Sequence, residues 1–257
     1  MLASPKNFII LEKVDSTNNY AMGLVQKGVA NNGDAVFAME QTAGKGRRGK
    51  SWESLKGQNI VLTVISEMQW LPVFSQFHLS VAVAMACHDF LSGHVEYDIK
   101  IKWPNDIFIN DRKAGGILIE NVIKGHIWQW AIIGIGLNVN QQEFEPGNLE
   151  PISLKQLTGK SYNARSLARE LHEDVLAKIS ELKNDGYNKL LETYNKNLFA
   201  RNKKVKLKKG NIIFETTVQQ VSSTGELITK DIMGRSFSFD EVEWINLTPT
   251  PLQKRGN

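Results

Sequence analysis

The chain has 257 residues, 42% of them hydrophobic and 23% charged, enough for one large globular domain or a large one with a small companion. Its net charge of +4 is mild and is concentrated in two stretches, Lys45 to Lys50 and Arg201 to Lys209, unlike the spread of cations expected on a nucleic-acid-binding protein. A single cysteine, Cys87, excludes an internal disulfide; with no apolar run near the roughly 20 residues that cross a bilayer, and no signal-peptide core in residues 1–13, a soluble, cytoplasmic protein is expected.

In chain order, Phe8 to Val14 reads as a strand, and Asp15-Ser16-Thr17-Asn18 opens a helix with Ala21, Leu24 and Val25 on its apolar face and Gly28 at its end. Ser16 or Thr17 is the expected cap. Ala35 to Glu40 and Asn59 to Ile65 are strands flanking a cationic loop, and Ser75 to Leu91 is a buried helix that carries Cys87 and His88 as packed residues. Ile99 to Trp103, Ile107 to Ile109, Ile117 to Val122 and Ile127 to Val139 are strand-like, joined by short polar turns such as Asn110 to Lys113. Strands with such short connections predict an α+β fold built on a mixed, largely antiparallel sheet. Arg165 to Asp185 has Leu167, Leu171, Val175, Ile179 and Leu182 at helical spacing, and a shorter helix follows from Tyr187 to Asn197.

After Asn197 short alternating runs are separated by turns at Lys209-Gly210-Asn211, Thr224-Gly225-Glu226 and Met233-Gly234-Arg235, which predicts a small β-barrel of about five strands. Residues 1–197 and 198–257 are therefore expected to be separate domains. The alternation of lysine with Val205 and Leu207 is read as the solvated face of an edge strand. The histidines, His78, His88, His94, His126 and His172, have no i, i+4 pair and no cysteine companions, so no structural metal is expected.

The densest chemistry lies in Gly44-Lys45-Gly46-Arg47-Arg48-Gly49-Lys50-Ser51-Trp52, where glycines let backbone amides approach phosphate oxygens and the cations neutralise them. The segment spells both the P-loop pattern and the dinucleotide pattern G-x-G-x-x-G. Each of those needs a helix to begin at the loop. Here Trp52 to Gln58 has no helical period and a strand follows, so both rank below a third reading.

That reading comes from the order of the segments. Asp15-Ser16-Thr17-Asn18, the glycine and arginine loop preceded by Gln41, Lys102-Trp103-Pro104-Asn105-Asp106, Lys113-Ala114-Gly115-Gly116-Ile117-Leu118 and Gly134-Ile135-Gly136-Leu137-Asn138-Val139 together resemble the biotin protein ligases. The resemblance spans about the whole chain, with the loop and the K-W-P-N-D segment its most specific parts. It implies the biotin/lipoate ligase catalytic fold with a small SH3-like C-terminal barrel, and an enzyme that uses ATP to convert biotin to biotinyl-5′-adenylate and then transfers biotin to a lysine of a carboxyl-carrier domain. ATP and biotin are then substrates, magnesium accompanies ATP, and the carrier domain is the partner. The helix-turn-helix domain of some members has no room before Phe8, so no DNA partner is expected, while a homodimer through the catalytic sheet is compatible with the family. The nearest rival is a lipoate ligase of the same superfamily.

The resemblance also implies roles. Lys102 would contact the biotin carboxylate and the α-phosphate, with Arg47 as the second catalytic cation. Ser16, Thr17 and Asn18 would hold the ureido ring; Gln41, Gly44, Lys45 and Gly46 would line biotin and the adenylate phosphate; Trp52 would pack over the intermediate; Asn138 would meet adenine; and Gly116 would admit the ligand close to backbone. Lys45 departs from the commoner G-R-G-R spelling, which keeps the charge and loses the guanidinium fork. Asn105 and Asp106 are candidates to steady magnesium, and the loop from Thr42 to Ser54 is expected to be disordered without ligand and to close over it.

Overall fold

The computed structural model describes residues 7–145 and 150–245. Seven strands, β1 (Phe8–Leu11), β2 (Ala35–Ala38), β3 (Ile60–Glu67), β4 (Ile99–Lys102), β5 (Asp106–Ile109), β6 (Arg112–Lys124) and β7 (Ile127–Leu137), form one sheet in the order β1-β2-β3-β7-β6-β5-β4. Only β1 and β2 pair in parallel; every other neighbour is antiparallel, as the short turns predict. The helices are α1 (Thr17–Gln26), α2 (Gln76–His94), α3 (Leu154–Thr158), α4 (Ala164–Lys183) and α5 (Tyr187–Lys196).

Strand alternation sorts the sheet into two faces. Ile60, Leu62 and Val64 of β3 and Ile133, Ile135 and Leu137 of β7 enter the main core beneath α2. That helix is apolar nearly all round, because α4, α5 and the sheet enclose it. On the other face Ala21 of α1 packs against Val36, Ile65 and Ile132. α1 covers only part of that face, and beyond its N-terminus the sheet is open.

A second antiparallel sheet contains β8 (Lys204–Lys209), β9 (Ile212–Val221), β10 (Leu227–Lys230), β11 (Gly234–Phe237) and β12 (Glu243–Ile245), in the order β11-β10-β9-β8-β12. Its five strands match the expected small β unit, the remainder of which, residues 246–257, lies outside the described residues. One expectation is corrected: β8 is not an edge strand, since β12 pairs with Lys206 to Lys208. The lysine alternation reports a face open to water, which an interior strand of a one-sided sheet also has. The two sheets share a core. Leu207, Val218, Leu227 and Val242 belong to the same buried cluster as the first sheet, and Leu198 forms a parallel bridge with Ile101 of β4.

The cationic loop is folded, against the expectation of disorder. Lys45 and Ser51 form a bridge, the Gly46 amide donates to the Lys50 carbonyl (2.7 Å), and Arg47–Gly49 makes a turn of 3-10 helix. Gly44 lets the Trp52 carbonyl lie against it, where a Cβ would overlap, and the Trp52 amide donates back to the Gly44 carbonyl (2.9 Å).

Candidate active site

The uncovered part of the sheet, the cationic loop and the second sheet enclose a cavity of about 780 Å³. Register builds its floor. Val61, Gly136, Gly116, Asp106 and Lys102 are successive cross-strand partners from β3 to β4, and Thr63, Gly134 and Leu118 form the adjacent row. Glycine on β6 and β7 keeps the floor low. A Cβ on Gly134 would overlap the Asn18 carboxamide and one on Gly136 the Trp52 indole, so both residues are required by close approach.

One end of the floor carries neutral polar groups. A bridge between Val14 and Gln41 brings the start of α1 beside the root of the loop. The Thr17 amide and hydroxyl both donate to Gln41 Oε1 (2.8 and 3.0 Å), and the Thr63 hydroxyl donates to Asn18 Oδ1 (2.7 Å). Ser16 is the first non-helical residue before α1, but its side chain makes no capping hydrogen bond; the expected cap gives way to a hydroxyl at the cavity wall.

The other end is cationic. Lys102 is 7% exposed, and burial, reinforced by Lys113 and Lys50 and opposed by Asp106, brings its pKa down to about 8. Its ammonium lies 3.7 Å from Asp106 Oδ2 and 5.4 Å from the ring centres of Phe108 and Trp244. Lys113 Nζ meets the other oxygen of the same carboxylate at 2.8 Å. Asp106 thus holds two lysines at one spot, and Asn105 donates its side-chain nitrogen to the Ile117 carbonyl (2.9 Å).

The second sheet supplies the third wall. Arg47 and Arg48 pair with Asp240 Oδ1 (3.0 and 2.7 Å), Arg48 also reaches Glu243 (3.2 Å), and Arg47 lies over Phe239. Trp52 spans the middle of the floor with its Nε1 buried and without a hydrogen-bond partner, and Lys113 stands over its ring.

Of the residues singled out from sequence, Ser16, Thr17, Asn18, Gln41, Lys45, Gly46, Arg47, Trp52, Lys102 and Gly116 come together around this cavity. Gly44 borders an adjoining pocket between the loop and Leu118 and Glu120. Asn138 stands apart from the lining: its amide donates to the Ala114 carbonyl (2.8 Å) and its side chain to that of Lys113 (3.3 Å), which holds the start of β6 in place. The structure adds Lys113, Asp240, Glu243 and Trp244 to the lining, with Thr63 and Glu120 behind it as hydrogen-bond partners of Asn18. Lys113 opens a segment already visible as a motif, and its position before two glycines was the available signal. Thr63 is hidden inside an apolar strand, and Asp240 stands 193 residues from Arg47.

Comparison with known proteins agrees with this architecture. The chain is 30% identical over 200 residues to the bifunctional ligase/repressor BirA of Escherichia coli, covering 77% of this chain and 61% of that protein. It is 36% identical over 157 residues to the biotin--[acetyl-CoA-carboxylase] ligase of Paracoccus denitrificans, covering 58% of this chain and 63% of the relative. The matches thus span about 60% of the length of these relatives. The fold is that of the biotin protein ligase from Aquifex aeolicus solved in complex with biotin and ATP, with a TM-score of 0.79 over 93% of this chain and 99% of the other at 23% identity. The model of the biotin/lipoate A/B protein ligase family matches residues 10–138, half of the sequence, and the chain belongs to that family.

Proposed function

We propose that the protein activates biotin with ATP and transfers it to a lysine of a biotin carboxyl-carrier domain. The observation that carries this reading is the layout of the cavity: a glycine floor with neutral hydrogen-bonding groups at one end and Lys102, Lys113 and the arginine loop at the other. A bicyclic urea offers one carbonyl acceptor and two N–H donors, which hydroxyls and carboxamides of Ser16, Thr17, Asn18 and Gln41 complement. Its valerate chain then extends past Trp52, whose indole occupies the space over Gly136, toward the lysines.

The first step joins two anions, so the barrier is largely electrostatic. Lys102 and Lys113 draw the carboxylate and the α-phosphate of ATP together, and Arg47 neutralises phosphate from the loop side. A carboxylate oxygen attacks the α-phosphorus and the bond to the β-phosphoryl oxygen breaks, releasing pyrophosphate, with magnesium entering as the companion of ATP. In the second step a carrier lysine amine attacks the acyl carbon of the mixed anhydride; the C–N bond forms, AMP leaves, and the amine gives up a proton. Trp52 packs against the adenylate from the floor and keeps water from that side. Lys45 points its ammonium to Glu120 (3.6 Å), which supports a contribution to phosphate binding through backbone and not through its side chain.

The assignment of Gly44 to phosphate approach and of Asn138 to adenine belongs to the same proposal in altered form: Gly44 shapes the loop and Asn138 steadies Lys113. Residues 1–197 act as the catalytic unit and 198–257 as a companion that completes the site, in the cytoplasm, where ATP and carboxylase carriers meet. Pairing of two copies through the catalytic sheet is compatible with this arrangement. No helix among the described residues is long and apolar enough to cross a membrane.

The test is biotin-dependent release of pyrophosphate from ATP, with and without a carrier domain. Biotin dependence with labelled carrier is expected. Turnover supported by lipoate or octanoate and not by biotin would replace the substrate, and release of inorganic phosphate would overturn the adenylation reading.

A further inference from the structure

Glu120 lies on β6 on the cavity face, in alternation with Gly116 and Leu118, while Ile117 and Ile119 point to the core. Its Oε2 accepts from Asn18 Nδ2 at 2.8 Å, and the same nitrogen reaches the Leu118 carbonyl at 3.4 Å. Both partners are acceptors without protons, so only the amide nitrogen can face them. The carboxamide oxygen is thereby turned to the opposite side, where it accepts from Thr63 (2.7 Å) above Gly134. A flipped carboxamide would set oxygen against the Glu120 carboxylate, whereas the Thr63 hydroxyl would still have Thr17 Oγ1 at 2.8 Å as an acceptor, so the orientation is decided on the Glu120 side.

We infer that Glu120 is a positioning residue for substrate recognition: it locks the Asn18 carboxamide with its oxygen toward the cavity, so that the site accepts a hydrogen bond from a ring N–H of the bound urea. Through its other oxygen, 3.6 Å from Lys45 Nζ, the same side chain ties this end of the pocket to the cationic loop. The inference rests on the reading of this end of the pocket as the site for biotin's ring. It makes discrimination a matter of orientation, since an amide fixed as acceptor favours a ligand donor and opposes a ligand carbonyl at that spot.

Biotin binding without ATP, followed by titration calorimetry, separates this from a structural role. Glu120→Ala and the strand-favouring Glu120→Thr, both too short to reach Asn18, are expected to weaken biotin roughly ten-fold, the loss of about one buried hydrogen bond. Glu120→Gln, which keeps an acceptor for Asn18 and loses the charge facing Lys45, is expected to restore affinity to within about two-fold of the parent. In steady state the truncations raise the KM for biotin with little change in kcat. Unchanged biotin affinity in both truncations overturns the inference, as does equal weakening by the Gln variant, or a fall in kcat and in the fraction of active sites at constant affinity. If the parent protein binds biotin and the truncations bind it equally well, the inference fails alone; if the parent binds no biotin, the reading of the pocket fails with it.

Discussion

Lys102 sits where the proposed reaction needs a charge and where burial opposes it. With its pKa brought down to about 8, the ammonium is present below that pH and is lost as pH rises through it. In the proposed reaction, kcat/KM, which reports the free enzyme, is expected to fall on the alkaline side with an apparent pKa near 8; in Lys102→Arg, whose guanidinium stays charged, that limb disappears even if the plateau is lower. Because the unfolded chain binds more protons than the native one between about 8 and 10.5, this residue also makes stability rise with pH across that window. At Gly136 a methyl group would overlap the rigid indole of Trp52. Gly136→Ala is therefore expected to shift the tryptophan fluorescence of the free protein and to raise the KM for ATP at least about ten-fold, with folding retained because the strand itself tolerates alanine. Lys102, Arg47 and the Ser16 to Asn18 triplet were legible in the sequence because they sit in short motifs. Thr63 and Glu120 were not, since each is a lone polar residue among apolar neighbours on its face of a strand and becomes informative only when its spatial neighbours are known.

At the scale of elements, the loop from Gly44 to Trp52 was recognisable from its glycines and cations, yet its order was not. A segment this charged has no core of its own, so what folds it is its own turn together with carboxylates from elsewhere, Asp240 in the turn between β11 and β12, Glu243 on β12 and Glu120 on β6. Partly exposed pairs of this kind contribute about 0–1 kcal/mol each, enough to bias a loop and too little to prevent phosphate from replacing them. Asp240 has a left-handed backbone (φ 70°), which asparagine also tolerates. Asp240→Asn is expected to speed tryptic cleavage after Arg47 and Arg48 several-fold in the free protein, with protection restored by biotin and ATP together; a cleavage rate equal to the parent's would show that the pairs do not order the loop. The Lys204 to Lys209 stretch teaches the converse. Its alternation correctly announced a strand with one wet face, but a single strand's pattern says nothing about whether another strand, here β12, lies beside it.

Over the whole molecule, the second sheet is joined to the first through aromatic residues. Trp103 donates from Nε1 to the Gly225 carbonyl (2.9 Å) and stacks with Phe239; Trp244 donates to the Trp103 carbonyl (3.1 Å); and Phe199 lies between Phe108 and Trp244. Gly225, at φ 98°, rests on the Phe77 ring of α2, leaving no space for a side chain. Gly225→Ala is expected to destabilise the entire chain by about 2–3 kcal/mol and to lower Tm by roughly 5–10 °C in a single calorimetric transition. A separate low-temperature transition confined to the second sheet would show that the two units unfold independently. Because Trp244 also borders Lys102, loosening this contact is expected to reduce adenylate formation as well as stability.

The amino-acid sequence alone determined the elements, the mixed and largely antiparallel character of the sheet, the family and most of the residues around the cavity. These follow from local periodicity, turn chemistry and short motifs, in which spacing along the chain stands in for spacing in three dimensions. The tertiary structure alone decided that glycines from β6 and β7 share one floor, that two lysines meet on Asp106, that Asn138 supports a strand away from the cavity, and that carboxylates of the second sheet hold the arginine loop. Each of those depends on strand register or on the docking of one sheet against another, and both are set by the burial of apolar faces summed over the whole chain, which no short stretch of it encodes.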